Sequence, residues 1–114
     1  MEIKLVSIIQ GKVLEITLLN ENVDARNSAS CKDAILDLIN KMGNTKVVLN
    51  LTHLQFIDSS GLGALLSIQR SLYSLGGKLK LANLNKSVQT VFEIVSMHRI
   101  FEIYPSMEEA IQSF

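Results

Sequence analysis

The sequence holds one cysteine, Cys31, among 114 residues. No internal disulfide can form, which agrees with a reducing compartment. Cys31 falls on an apolar helical stripe and reads as a small core residue. Histidine is nearly as scarce, with only His53 and His98 present. A hydrolase or transferase needs a base beside its nucleophile. His53 lies on a strand-to-loop passage rather than opposite a candidate hydroxyl, and His98 sits beside Arg99 without a clear partner. Metal sites need clustered His, Cys or carboxylate ligands, and no such cluster is visible. Gly61 and Gly63 lack the third glycine of a dinucleotide fingerprint, and a P-loop lysine is absent. The expectation is a protein that is not an enzyme and carries no cofactor and no metal.

An excess of charge of one sign is also missing. Lys and Arg number 11, Asp and Glu number 11, and the formal net charge is zero. There is no basic cluster and no interleaving of aromatic with basic residues, so nothing points to nucleic acid. The longest apolar runs are too short to span a bilayer. Met1-Glu2-Ile3-Lys4-Leu5 lacks the charged-then-apolar layout of a signal peptide. These absences predict a cytoplasmic protein away from the membrane. Proline occurs once, at Pro105, where it stops the last predicted strand.

What is present is enough for one packed core. Hydrophobic residues make up 47% of the chain, and the length predicts a single domain over residues 1–114. Lys4 to Ile9 and Lys12 to Leu19 are β-rich runs joined at Gln10-Gly11, which predicts a hairpin. Asn20 to Asn27 is polar and turn-prone. A helix is predicted from Ser28 to Met42 with stripe Cys31, Ala34, Ile35, Leu38 and Met42, and Gly43 suits its left-handed stop. Lys46 to Leu51 is a near-continuous apolar run rich in Val, as a strand between parallel neighbours would be. A helix after Ser59 carries Leu62, Leu65, Ile68, Leu72 and Leu75 toward the core and ends at Gly76-Gly77. Lys78 to Leu81 alternates like a half-exposed strand. Asn85 caps a helix predicted to reach Met97, with stripe Val88, Val91, Phe92 and Val95. Phe101 to Tyr104 alternates as a last strand. Ser106 and Glu109 have capping-box spacing for a short final helix. The alternation of strands and helices predicts an α/β fold with a largely parallel sheet.

One stretch organises the chain: Phe56-Ile57-Asp58-Ser59-Ser60-Gly61-Leu62-Gly63. An apolar run gives way to a polar cluster, and a helical pattern follows. Asp and Ser accept hydrogen bonds from the free N–H groups of a first helical turn. The spacing therefore places a hydroxyl at the mouth of a helix, just beyond a strand, where open α/β sheets hold their working sites. A helix start also favours a phosphate. Two jobs stay open for Asp58. It caps the helix, or it positions the Ser59 hydroxyl for an incoming kinase. With no base in reach, Ser59 reads as a substrate for another protein's chemistry rather than as a nucleophile.

This stretch, with Val47-Val48-Leu49-Asn50-Leu51 before it and Gly76-Gly77 after the helix, resembles the STAS domain family, and within it the bacterial anti-sigma factor antagonists. The resemblance runs over nearly the whole chain. It implies a small mixed, largely parallel sheet with helices packed mainly on one face and the opening strand at an edge. It implies that Ser59, directly after the Asp, is the reversible phosphorylation site, with Ser60 as the neighbouring alternative. It further implies that Asp24 lies near the acceptor; the other reading of Asp24 is a turn-forming Asp followed by a loop arginine. The partners so implied are an anti-sigma factor with serine kinase activity and a PPM-type phosphatase. The implied partner-binding set is Asp24, Asp58, Ser60, Gly61, Leu62 and Leu66. Leu62, Leu66, Gln69 and Tyr73 form a stripe offset from the Leu65-Ile68-Leu72 line, and Leu62 is expected to border both faces. Two rival readings carry over: a STAS regulatory or structural subunit of a transport assembly, and a stand-alone small-ligand domain, which would need a deep pocket.

Overall fold

The computed structural model describes residues 2–114. Met1, part of the stretch read for a leader, lies outside them. The hairpin forms as the glycine suggests. β1 (Leu5–Gln10) and β2 (Val13–Leu18) run antiparallel, Leu5 opposite Leu18 and Gln10 opposite Val13. Gly11 takes the first central turn position at φ 62°. A type II′ turn needs positive φ there, which glycine adopts without strain.

β4 (Lys46–Asn50) lies between parallel neighbours, β2 and β6 (Lys78–Ala82). Val47, Val48 and Leu49 are fully buried, so both faces of this strand are covered. β7 (Glu102–Tyr104) adds parallel to β6. The order across the main sheet is β1-β2-β4-β6-β7, with the opening strand at an edge as expected. α1 (Ser28–Met42), α2 (Ser59–Ser74) and α3 (Lys86–Ile94) share one large core with Leu14, Ile16 and Leu18 of β2. α4 (Met107–Gln112) covers part of the opposite face through Ala110, against Val13, Val48 and Ala82. The fold is thus a small α/β domain with a mixed, mostly parallel sheet.

Several local readings need correction. On α1 the buried line is Cys31, Ile35 and Ile39, while Met42 is exposed. The last turn of α1 passes the end of its cover, and Gly43 then reverses the chain at φ 74°. Leu75 is exposed because α2 has already ended. α3 stops at Ile94, short of Met97, since Ser96 turns left-handed at φ 61° and a 3₁₀ turn, Met97–Arg99, follows. Val95 is thereby swung out to solvent. Phe101 takes up the core position beyond the break and meets Phe92 edge-on, ring centroids 5.9 Å apart.

Lys80 departs furthest from expectation. The alternating pattern predicts an exposed side chain, yet the residue is buried. α4 lies over that face. The Lys80 ammonium donates to Ser113 Oγ at 2.7 Å and sits 4.1 Å from the Phe114 ring centroid. Glu102 Oε1 lies 3.5 Å away. The ammonium is therefore bonded, paired and stacked at once, which offsets part of its desolvation.

Candidate functional site

Two very short strands position the site. β3 (Asn22–Val23) falls inside the stretch read as a turn, and β5 (Phe56–Ile57) precedes the polar cluster. They pair in parallel with each other, Val23 opposite Ile57, as a second small sheet. Gln55 and Phe56 N–H both donate to Glu21 C=O, at 2.7 and 3.1 Å. The loop entering α1 and the loop entering α2 are therefore fastened side by side. Their residues lie in remote parts of the chain.

Asp58 finishes that fastening. Its Oδ1 accepts the Gly61 N–H at 3.0 Å, which is the N-cap bond of α2. Its Oδ2 accepts the Ala25 N–H from the other loop at 3.1 Å. One carboxylate thus caps a helix and ties down the neighbouring loop. Ser59, the first residue of α2, is held by this arrangement with its side chain exposed. Ser60 is exposed beside it. Gly61 N–H is already used, whereas the N–H groups of Ser59 and Ser60 have no helical carbonyl behind them.

Asp24 is largely buried. Its Oδ1 accepts the Arg26 backbone N–H at 2.9 Å and its Oδ2 pairs with Arg26 Nη2 at 2.8 Å. The Arg26 hydrogen bonds hold its carboxyl below the usual carboxylate range. The turn-forming role followed by a loop arginine is therefore present. The loop carrying Asp24 also lies beside Asp58, because Val23 C=O accepts the Asp58 N–H and Ala25 N–H reaches the Asp58 carboxylate.

Sequence reading missed Asn27. It is almost fully buried, and its side chain accepts from Asp24 N–H and donates to Asn22 C=O, both at 2.9 Å. It holds the turn between β3 and α1. Its position just before a helix was the available signal, although it makes no cap bond and reaches backward instead.

Gly61 and Leu62 are buried, so neither presents a surface of its own. The expectation that Leu62 borders both faces gives way to a core position at 4% exposure. Gly61 is needed for close approach. A Cβ there would lie 2.6 Å from Ile57 Cγ1 and 2.7 Å from Val23 C=O. Leu66 is half-buried against the core, Gln69 Nε2 donates to Ile100 C=O at 3.2 Å, and Tyr73 is 78% exposed. The predicted flank of α2 is thus partly covered by the 3₁₀ region, and its apolar end is free. A shallow groove of about 170 Å³ runs between the starts of α1 and α2, past Ser28, Lys32, Ser60 and Gly63.

His53 is exposed. Among the described residues, no group of three or more His, Cys, Asp or Glu could hold a metal, and no helix is long and apolar enough to cross a membrane.

Comparisons with known proteins bear on the fold and the family. A Thermotoga neapolitana protein named "Putative anti-sigma factor antagonist TM1081 homolog" is 31% identical over 97 residues, covering 85% of this chain and 86% of its own. A Thermotoga maritima crystal structure described in similar terms superposes with a TM-score of 0.83 at 27% identity, over 96% of this chain and 92% of that one. The phosphorylated form of the Bacillus cell-fate determinant SpoIIAA shares the fold, with a TM-score of 0.68 at 24% identity over 98% of each chain. The family model for the STAS domain matches residues 8–110, from within β1 to the middle of α4. Since that span takes in the whole parallel sheet and both loops joined by Asp58, the chain belongs to the STAS domain family.

Proposed function

We propose that residues 1–114 act as one cytoplasmic anti-sigma factor antagonist, a non-enzymatic module switched by phosphorylation of Ser59. Unphosphorylated, it binds an anti-sigma factor that is also a serine kinase, and the sigma factor is released. The kinase then transfers the γ-phosphoryl group of ATP to Ser59. An Oγ–P bond forms, ADP leaves, and the hydroxyl proton passes to a base of the kinase. A PPM-type phosphatase reverses the step. Asp24, Asp58, Ser60 and Leu66 border the contact surface, while Gly61 and Leu62 support it from beneath.

One observation carries this reading. Ser59 is an exposed hydroxyl at the first position of α2, beside a carboxylate fixed by two backbone N–H groups, one from the first turn of α2 and one from the loop entering α1. Phosphate there adds about −1.5 to −2 charges. The free N–H groups of the helix start accommodate such charge, whereas a partner surface packed over Asp58 is confronted with it. The fold can stay as it is while the complex loosens. The likeness to named antagonists over most of the chain supports the same reading.

The test is intact-mass analysis after incubation with the kinase encoded nearby and ATP. Ser59→Ala is expected to abolish a phosphate-sized gain, and Ser60→Ala to keep it. Loss in the Ser60 variant instead moves the acceptor by one residue.

A further inference from the structure

The outer edge of β1 is open. β1 ends the strand order, so among the described residues no strand pairs with its far side. Native sheet edges are commonly guarded by charge, proline or a bulge. Leu5–Gln10 contains neither a charged residue nor proline, and its register with β2 is unbroken over all 6 residues. Val6, Ile8 and Ile9 are 53%, 57% and 46% exposed.

Hydrogen-bond phase decides which groups on this edge are free. Gln10 and Val13 are opposed across the two-residue turn. The pair closing such a hairpin exchanges hydrogen bonds, and bonded and non-bonded pairs then alternate along the strands. Leu19 N–H donates to Lys4 C=O at 2.9 Å, in the same phase. Lys4, Val6, Ile8 and Gln10 therefore aim their backbone groups at β2. Leu5, Ser7 and Ile9 aim theirs outward.

We infer that β1 pairs with β1 of a second copy of this chain, antiparallel, about a two-fold axis at Ser7. In that register Leu5 of each copy exchanges bonds with Ile9 of the other, and Ser7 with Ser7. Every outward N–H and C=O of the strand is used. Val6 lies opposite Ile8 of the other copy at a non-bonded position, where side chains approach most closely. A two-fold dimer sets a patch against itself, so like charges would oppose it. Beyond the strand, Glu2 of one copy runs past the hairpin tip of the other, where the long side chain of Lys12 in the turn is opposite in sign, at both ends. Glu2 and Lys4 are already held in place, because Asn20 Nδ2 donates to Glu2 C=O at 2.9 Å and Asn20 Oδ1 accepts Lys4 N–H at 2.8 Å.

The dimer joins two five-stranded sheets into one of ten. No residue of the Ser59 site lies on β1, so both sites stay open. A contact of one short strand per copy is small and belongs with transient interfaces. Half-association is expected near roughly 0.1 mM protein.

Sedimentation velocity of the full chain from about 0.01 to about 1 mM tests this, together with amide exchange at both ends of that range. The expected result is a concentration-dependent dimer in which the Leu5, Ser7 and Ile9 amides slow as it forms. Ser7→Pro removes an outward N–H and costs no bond to β2. It is expected to weaken the dimer at least about tenfold while thermal unfolding shows an intact fold. Lys12→Glu is expected to weaken it less, and Glu2→Lys with Lys12→Glu to restore it. A monomer at every concentration, with those three amides in fast exchange, overturns the inference. So does a dimer whose three edge amides stay unprotected, or one that a folded Ser7→Pro protein retains.

Discussion

Asp58 Oδ2 accepts the backbone N–H of Ala25 at 3.1 Å, across 33 positions of sequence. Through that bond the start of α2 and the approach to α1 form one surface. Asp58→Ala removes both the helix cap and this tie. A lost N-cap costs about 1 kcal/mol, and an unpaired N–H adds to it where it is shielded from water. The expected loss is about 1–2 kcal/mol by denaturant unfolding, with faster exchange at the Ala25 amide. Asp58→Asn keeps one acceptor oxygen and should lose less. An Ala25 amide that exchanges at the same rate in Asp58→Ala would show that the bond holds nothing.

Gly61 and Gly63 make a controlled pair on one helix. Alanine at 61 would press into Val23 C=O and Ile57, whereas alanine at 63 meets nothing within 4 Å. Gly61→Ala is expected to destabilise by about 1–3 kcal/mol through overpacking. Gly63→Ala should be stabilising by about 0.5–1 kcal/mol, because alanine is the better helix former. Chemical denaturation of both variants checks the sign of each.

Ser59→Asp places a charge at the acceptor without a kinase. The fold should be unaffected, and affinity for the proposed kinase partner should fall, relative to the unphosphorylated wild-type chain, by about tenfold, near 1.4 kcal/mol. A carboxylate carries less charge than phosphate, so this is a lower bound. Calorimetric titration beside thermal unfolding reads both quantities. Phosphorylation itself should leave residues 78–84 unmoved, and large amide shifts there would mean that the fold does respond.

Leu66→Asp separates packing from contact. Sequence spacing alone places Leu66 on a free flank, where the change leaves the melting temperature alone. The structure packs it against the core, so a charge there should lower stability by about 1–3 kcal/mol. Thermal unfolding decides, and an unchanged melting temperature restores the flank reading.

Glu102 supplies a pH-dependent contribution. Hydrogen bonds from Lys78 first, then Tyr104, bring its carboxyl from 4.5 down to about 2. A carboxyl depressed in the folded state stabilises above the unfolded value and loses that contribution as pH falls toward the folded one. Stability should therefore drop between about pH 4.5 and pH 2. The side chain is 37% exposed, so solvent screening limits the effect to about 1 kcal/mol. Glu102→Gln should flatten the unfolding curve over that range.

The regular elements were legible because each carries its own signal. Gly11, Gly43 and Asn85 mark a turn, a helix stop and a helix start in a way that needs no tertiary information. Val47 to Leu49 announce a strand covered on both sides. The candidate acceptor was legible for the same reason, since an Asp-Ser pair before a helical pattern is local. The strand end before Asp58 was legible at β5, but β3 was hidden because two residues carry no periodicity, and only the pairing with β5 makes it a strand. The burial of Lys80 was hidden because it depends on α4 and on Ser113 at its end, 33 residues later. The end of α3 was missed because its apolar spacing continues through Val95 after the backbone has turned at Ser96.

The cover over Lys80 has a consequence for how the chain is made. β6 leaves the ribosome before the residues that shelter its lysine, and the separation from Lys80 to Ser113 is 33 residues. At about 5–20 residues per second, that gap lasts roughly two to seven seconds. During it the nascent sheet has one face clothed by α1 and α2 and the other wet, with the lysine able to reach water. The second face closes only when α4 and Ser113 arrive, so this half of the core is completed after the parallel sheet has already emerged.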